Sequence, residues 1–216
     1  MFEVVILTAP PELERDEFDM LLSLVSPEKQ ERIKNFHFFR DARNCLLGDV
    51  LSRVEICRAT GLSNKQLEFS VNCFGKPFLV SRPNVHFNIS HAGDYIACVV
   101  ADKPVGIDIE IIKPIDLKIA ERFFTSDEFA YIMVGDKTLC FYEIWTKKES
   151  YIKWAGKGLH KHLTSFSAFD ACEYNPKFYR KIVQNNEAIC YACSLKKEPP
   201  SIRLIDIVSL MQCITL

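Results

Sequence analysis

Two carboxylates, Asp108 and Glu110, stand two residues apart in Val105-Gly106-Ile107-Asp108-Ile109-Glu110-Ile111-Ile112. On a β-strand such residues share a face, so Ile107, Ile109 and Ile111 line one side and the two acids the other. Their roots then lie roughly 6 to 7 Å apart. At an effective dielectric of about 20 the charges repel by on the order of 2 kcal/mol, which a packed sheet carries only with a compensating cation. The octapeptide supports two readings: half of a metal site, or the solvated acidic face of an edge strand.

A third carboxylate lies in Trp145-Thr146-Lys147-Lys148-Glu149-Ser150-Tyr151-Ile152-Lys153. Helical spacing places Trp145, Glu149 and Lys153 in one stripe, flanked by apolar Phe141, Tyr142 and Ile152. A surface ion pair between Glu149 and Lys153, worth about 0.3 to 0.5 kcal/mol, explains the spacing but not the tryptophan on the same face. If the stripe packs on the Val105–Ile112 strand, Glu149 becomes a third oxygen ligand of the kind Mg²⁺ takes, and Lys153 faces the same phosphate.

Anion-binding candidates come from the first half. Five basic residues (Lys29, Arg32, Lys34, Arg40, Arg43) face two acidic ones between positions 29 and 43. Lys29 and Arg32 share a face beside a helix start, which suits either a phosphate or a plainly solvated surface. Lys76 occupies the tight turn Gly75-Lys76-Pro77, and Ser90-His91 closes a strand. Neither a dinucleotide-binding G-x-G-x-x-G nor a P-loop sequence is present, so a nucleotide is held by other means.

These residues need elements to hold them. The spacing predicts a first strand near Met1–Leu7 and a helix over Glu12–Val25. A helix start follows at Ser26-Pro27-Glu28-Lys29, and a long helix runs from about Phe39 to Ala59 with Gly61 beyond it. Short strands near Leu67–Val71 and Phe78–Val80 precede a hairpin of Val85–Ile89 and Tyr95–Ala101. The second half repeats this order: a capped start at Thr125-Ser126-Asp127-Glu128, a helix from about Thr138 to Ala155 before Gly156-Lys157-Gly158, then Leu163–Phe169. A hairpin of Phe178–Val183 and Ala188–Leu195 completes the repeat. The expectation is an α+β protein of two pseudo-symmetric α/β-type halves, 1–104 and 105–216, with a site at their seam.

The 216 residues, 48% hydrophobic and 12% aromatic, suffice for a core. A net charge of -1, from 27 basic and 28 acidic residues, gives no field for nucleic acid or an anionic membrane. No apolar run approaches a membrane helix and no basic leader precedes Met1–Leu7, so a soluble, cytoplasmic protein is expected. Nine scattered cysteines fit a reducing compartment. Cys190 and Cys193 form a C-x-x-C, but on a strand residues three apart face opposite sides, which favours buried thiols over zinc or redox chemistry.

Taken together, the chain resembles the surfactin-type, or large, 4'-phosphopantetheinyl transferases. The resemblance rests on Ser26-Pro27-Glu28-Lys29, Leu46-Leu47-Gly48-Asp49, Gly75-Lys76-Pro77, Phe87-Asn88-Ile89-Ser90-His91, Val105 through Glu110, Arg122-Phe123-Phe124, and Trp145 through Lys153 with Gly156-Lys157-Gly158-Leu159. It implies a monomer that moves the phosphopantetheine arm of coenzyme A, bound between the halves, to a serine of an apo acyl or peptidyl carrier protein, releasing 3',5'-ADP. By the same resemblance Asp108, Glu110 and Glu149 hold Mg²⁺, or Mn²⁺ in its place, and Lys153 stabilises charge on the phosphates. Lys29, Arg32, Ser90 and His91 bind the 3'-phosphate region, and Lys76 with its backbone binds the nucleotide. Glu149, directly or through a water on the metal, is the general base.

The carrier is expected near Leu117–Phe124 and the helix to Tyr131, with buried helix-end phenylalanines as the competing reading. The chain departs from the family at Ala92, Cys45 and Arg32, which bears on 3'-phosphate contacts. Two other functions compete: another metal-dependent phosphotransferase, and a silent module that only binds coenzyme A or carrier domains.

Overall fold

The acid-bearing octapeptide folds as strand β6 (Val105–Ile111) and lies along the seam between two sheets. The computed structural model describes residues 1–156, 163–169, 175–185 and 187–214. The first half contains β1 (Phe2–Thr8), α1 (Arg15–Leu22), α2 (Pro27–Lys34), α3 (Phe39–Thr60), β2 (Phe69–Val71), β3 (Pro77–Leu79), β4 (His86–Ala92) and β5 (Tyr95–Ala101). After β6 come α4 (Lys118–Phe123), α5 (Ser126–Val134), α6 (Lys137–Ala155), β7 (Lys177–Val183), β8 (Ala188–Ser194), β9 (Ser201–Asp206) and α7 (Ile207–Ile214).

The two halves share a plan. Three strands run in the order β4-β5-β1 in the first and β7-β8-β6 in the second, all antiparallel, so each half places its hairpin's second strand in the middle. Strand alternation then builds the core. From β5, Ile96, Cys98 and Val100 point under α3, while Tyr95, Ala97, Val99 and Ala101 point into the seam to meet Val105, Ile107 and Ile109 of β6. The isoleucine face expected of β6 is this buried seam.

Helix starts follow local chemistry. Ser26 accepts from the Lys29 amide ahead of Pro27. Thr125 and Glu128 form a reciprocal capping box at α5. Helix α6 stops at Gly156, whose φ of 66° is a left-handed conformation that glycine takes without steric cost.

Leu163–Ser165 forms a 3₁₀ turn, as Asn64–Gln66 does in the first half just ahead of Leu67, and the carbonyls of Leu163 and Phe166 accept from the buried Lys148. One stretch, the segment after β8, is placed differently from the sequence expectation. The segment Ser201–Asp206, given no element by the sequence reading, crosses back to pair in parallel with β1, so the first half's sheet reads β4-β5-β1-β9. Expectations on Lys157, Gly158 and Leu159 fall outside the described residues. Cys190 and Cys193 are buried in different clusters, Cys190 in the seam and Cys193 beside Trp154. Among the described residues no helix is long and apolar enough to cross a membrane.

Candidate functional site

Helix α6 lies directly on β6, and Gly106 is the reason. A methyl group at that position would run into the Ser150 carbonyl oxygen and the Trp154 amide nitrogen. This close approach brings Lys153 over Asp108, the next residue of the strand but one.

β6 is an edge strand of its own sheet, yet its acidic face is not solvated. Strand β4 runs beside it and supplies two side-chain contacts: Asn88 Oδ1 accepts from the Ile107 amide at 2.9 Å, and Ser90 Oγ donates to Asp108 Oδ1 at 2.8 Å. Lys153 Nζ donates to the same Oδ1 at 2.6 Å and to Ser90 Oγ at 2.8 Å. Asp108 is 4% exposed. Its second oxygen, Oδ2, is buried with no hydrogen-bond partner among the described residues. A buried carboxylate oxygen left without a donor carries a desolvation cost of about 1 to 3 kcal/mol or more, and so marks a place where a ligand would be welcome.

The neighbouring groups share this tension. Burial pushes the Asp108 carboxyl above its ordinary range against the pull of Lys153 and Ser90. Glu110 is pushed up to about 7, first by burial and then by the Asp108 charge, although the Trp145 indole donates to its Oε1 at 3.2 Å. Glu149 is raised by burial and by Asp108, with Lys153 opposing. The spacing Trp145, Glu149, Lys153 therefore forms the stripe that the helix pattern predicts, and the tryptophan's use is as a donor to Glu110, a role the sequence reading did not assign.

Among the described residues no three His, Cys, Asp or Glu side chains stand closely enough together to hold a metal as placed; an amine, not a second carboxylate, meets Asp108. The donor set nonetheless suits a hard divalent cation. All three candidates are carboxylates, the Asp108 charge raises the pKa of both Glu110 and Glu149, and one buried oxygen has no donor among the described residues.

The first-half candidates are spread more widely. Lys29 lines a cleft of about 630 Å³ with Asp49, Ser52, Arg53, Phe69, Pro77 and Ile89, and its ammonium is 3.4 Å from Asp49 Oδ2. The cleft thus runs up to the residue preceding Ser90. Arg32 is exposed outside it. The His91 imidazole is lowered in pKa by desolvation and then by the Lys153 charge, so it stays neutral more readily than a free histidine. Lys76 does not reach into the cleft: its ammonium donates to the carbonyls of Val105 at 2.8 Å, Lys153 at 2.6 Å and Trp154 at 3.5 Å.

Buried acids and a lysine at a seam, beside a cation-lined cleft, are the parts of a phosphate-handling centre. The comparisons with known proteins agree. A family model described as 4'-phosphopantetheinyl transferase, N-terminal, matches residues 12–104, and one described as the 4'-phosphopantetheinyl transferase superfamily matches residues 104–203. The chain is 44% identical over 158 residues to 4'-phosphopantetheinyl transferase Sfp of Bacillus subtilis, covering 72% of this chain and 70% of that one.

The chain belongs to the 4'-phosphopantetheinyl transferase family.

Within that family it is also 39% identical over 169 residues to the transferase gsp of Aneurinibacillus migulanus, covering 77% of this chain and 70% of the relative. A more distant member is the L-aminoadipate-semialdehyde dehydrogenase-phosphopantetheinyl transferase of Mus musculus. It is 32% identical over 163 residues, 67% of this chain and 52% of the relative. The two family models meet at residue 104, just ahead of β6.

Proposed function

We propose that this phosphopantetheinyl transferase moves the 4'-phosphopantetheine arm of coenzyme A to a serine hydroxyl of an apo acyl or peptidyl carrier protein and releases 3',5'-ADP. The observation that carries the reading is the buried cluster of Asp108, Ser90 and Lys153 with Glu110 and Glu149 beside it. We take Asp108, Glu110 and Glu149 as holding Mg²⁺, with Mn²⁺ as a substitute. When bound, the ion supplies charge neutralisation for the coenzyme A pyrophosphate.

The rest falls to the protein's own side chains. The serine oxygen attacks the phosphorus bearing the pantetheine, the bond to the oxygen of 3',5'-ADP breaks, and the serine proton passes to Glu149. Lys153, already held against Asp108, donates to the pyrophosphate oxygens as negative charge builds there. Ser90 and His91 on β4 would meet the 3'-phosphate region, with Lys29 and Arg32 as its cations. The backbone of the Gly75–Pro77 turn is left for the nucleotide.

For the carrier we propose α4 and α5. Phe124 is buried, which answers one of the two phenylalanines as core, while Tyr131, Met133 and Val134 present an exposed apolar strip on α5. The protein would act as a monomer in the cytoplasm.

The test is transfer itself. Incubation with coenzyme A, Mg²⁺ and a panel of apo carriers should add one phosphopantetheine to a carrier by intact mass, with 3',5'-ADP as co-product. An unchanged mass across the panel, or a different released nucleotide, overturns the reading.

A further inference from the structure

The first half also reaches across the seam from the turn between β2 and β3. This turn extends two polar side chains to the far end of α6. A helix leaves its last carbonyls without intrahelical partners, and they form the negative end of its dipole. In α6 the Ile152 carbonyl is taken by the Gly156 amide. Lys76 Nζ takes the carbonyls of Lys153 and Trp154, and Asn72 Nδ2 donates to the carbonyl of Gly156 at 2.9 Å. Asn72 is itself fixed, since its Oδ1 accepts from the amides of Phe74 and Lys76, both at 2.9 Å.

The third acceptor decides what this arrangement does. Lys76 Nζ also donates to the carbonyl of Val105, the first residue of β6. One ammonium therefore ties the strand that carries Asp108 and Glu110 to the helix turn that carries Lys153. It does so beside Gly106, where strand and helix are closest. Two carbonyls hold this ammonium at 2.8 and 2.6 Å and a third lies at 3.5 Å, so its charge is committed to the backbone of the second half.

We propose that Lys76 is a positioning residue that fixes Lys153 against Asp108 across the seam, with Asn72 as its support, rather than a ligand of the nucleotide. Moving the end of α6 moves the Lys153 amine relative to the Asp108 oxygen it touches at 2.6 Å. The inference rests on the transferase reading only for its kinetic consequence.

Lys76→Met keeps the length of the stem and removes the cation. It is expected to lower kcat by roughly tenfold to a hundredfold, the scale of a misplaced catalytic group, with the affinity for coenzyme A by calorimetry within about twofold of wild type, because no ligand contact is lost. Amide exchange over residues 150–156 should quicken. A weakened affinity for coenzyme A at unchanged kcat makes Lys76 a nucleotide ligand and overturns the proposal, as do unchanged kcat and exchange together. If Lys76→Met does not fold, Asn72→Ala is read in the same way: reduced kcat and faster exchange at unchanged affinity support the role, and neither change overturns it. Should the wild-type protein transfer nothing, the functional reading fails alone; exchange and calorimetry on the variant still decide the positioning role.

Discussion

Helix α6 carries two lysine–carboxylate pairs, one wholly buried and one whose lysine reaches solvent. Lys148 and Glu128 are both fully buried, 2.7 Å apart, and every strong group is used. Lys148 also donates to the carbonyls of Leu163 and Phe166 and lies over the rings of Phe124 and Phe166. Glu128 accepts from the Thr125 and Ala168 amides. On another face, Lys153 and Asp108 are as close, but one buried Asp108 oxygen has no partner among the described residues, and the Asp108 charge is felt by Glu110 and Glu149. A closed pair fixes a fold; an open one keeps free energy available for a ligand.

Breaking the closed pair should have the largest effect. Glu128→Gln or Lys148→Met leaves an uncompensated buried charge or dipole and should lower unfolding free energy by about 3 to 5 kcal/mol, read by denaturant titration. Joint replacement by leucine and methionine should recover most of it. If each single change costs under about 1 kcal/mol, the pair behaves like a surface one and the contrast fails.

The open pair should respond in the opposite sense. Asp108→Asn removes a charge that burial disfavours, so the melting temperature should hold or rise. Turnover should fall by about two to three orders of magnitude, the scale of losing a preorganised electrostatic group. A destabilised yet active Asp108→Asn would invert the assignment.

Gly106→Ala separates the two pairs by a different route, because its methyl forces α6 off β6 near Lys153. Overpacking of this kind costs about 1 to 3 kcal/mol. Turnover and the exchange of residues near Lys153 should change, while protection around Ala168 and Lys148 stays.

The smallest effect is a pH dependence. Glu110 has an ordinary value of 4.5 in the unfolded chain and about 7 in the fold. Between those values the folded state holds a proton that the unfolded state has released, so stability falls as pH rises through that window and stays lower above it. Melting curves in chelator from pH 5 to 8 should show this slope, and Glu110→Gln should flatten it.

The sequence reading reached the parts of this site that depend on period. Asp108 and Glu110 alternate with isoleucines, and Trp145, Glu149 and Lys153 repeat every four residues, so strand and helix geometry alone put them on the right faces. It could not reach partners chosen by tertiary contact. Ser90 is one residue in a strand until β4 lies beside β6. Glu128 reads as the third residue of a capping box, which it is, and nothing local says that its other oxygen meets Ala168. Lys76 in a glycine–proline turn reads as a cation free to meet a phosphate, because the carbonyls that claim it belong to residues 29 to 78 positions away. Ser201–Asp206 alternates like a strand, but pairing with β1 is a choice that only the assembled sheet makes.

That last pairing bears on how the protein is made. β1 and β9 hydrogen-bond in register from Glu3 with Ser201 to Thr8 with Asp206, so almost the whole length of the chain closes as a loop. Closing so long a loop is entropically late. During synthesis, residues 1–104 leave the ribosome with one side of β1 still bare, and the sheet beside the Lys29 cleft is finished only after the second half has been made. Birth order and assembly order therefore differ, and the first half spends most of translation with an open β edge that a chaperone would recognise.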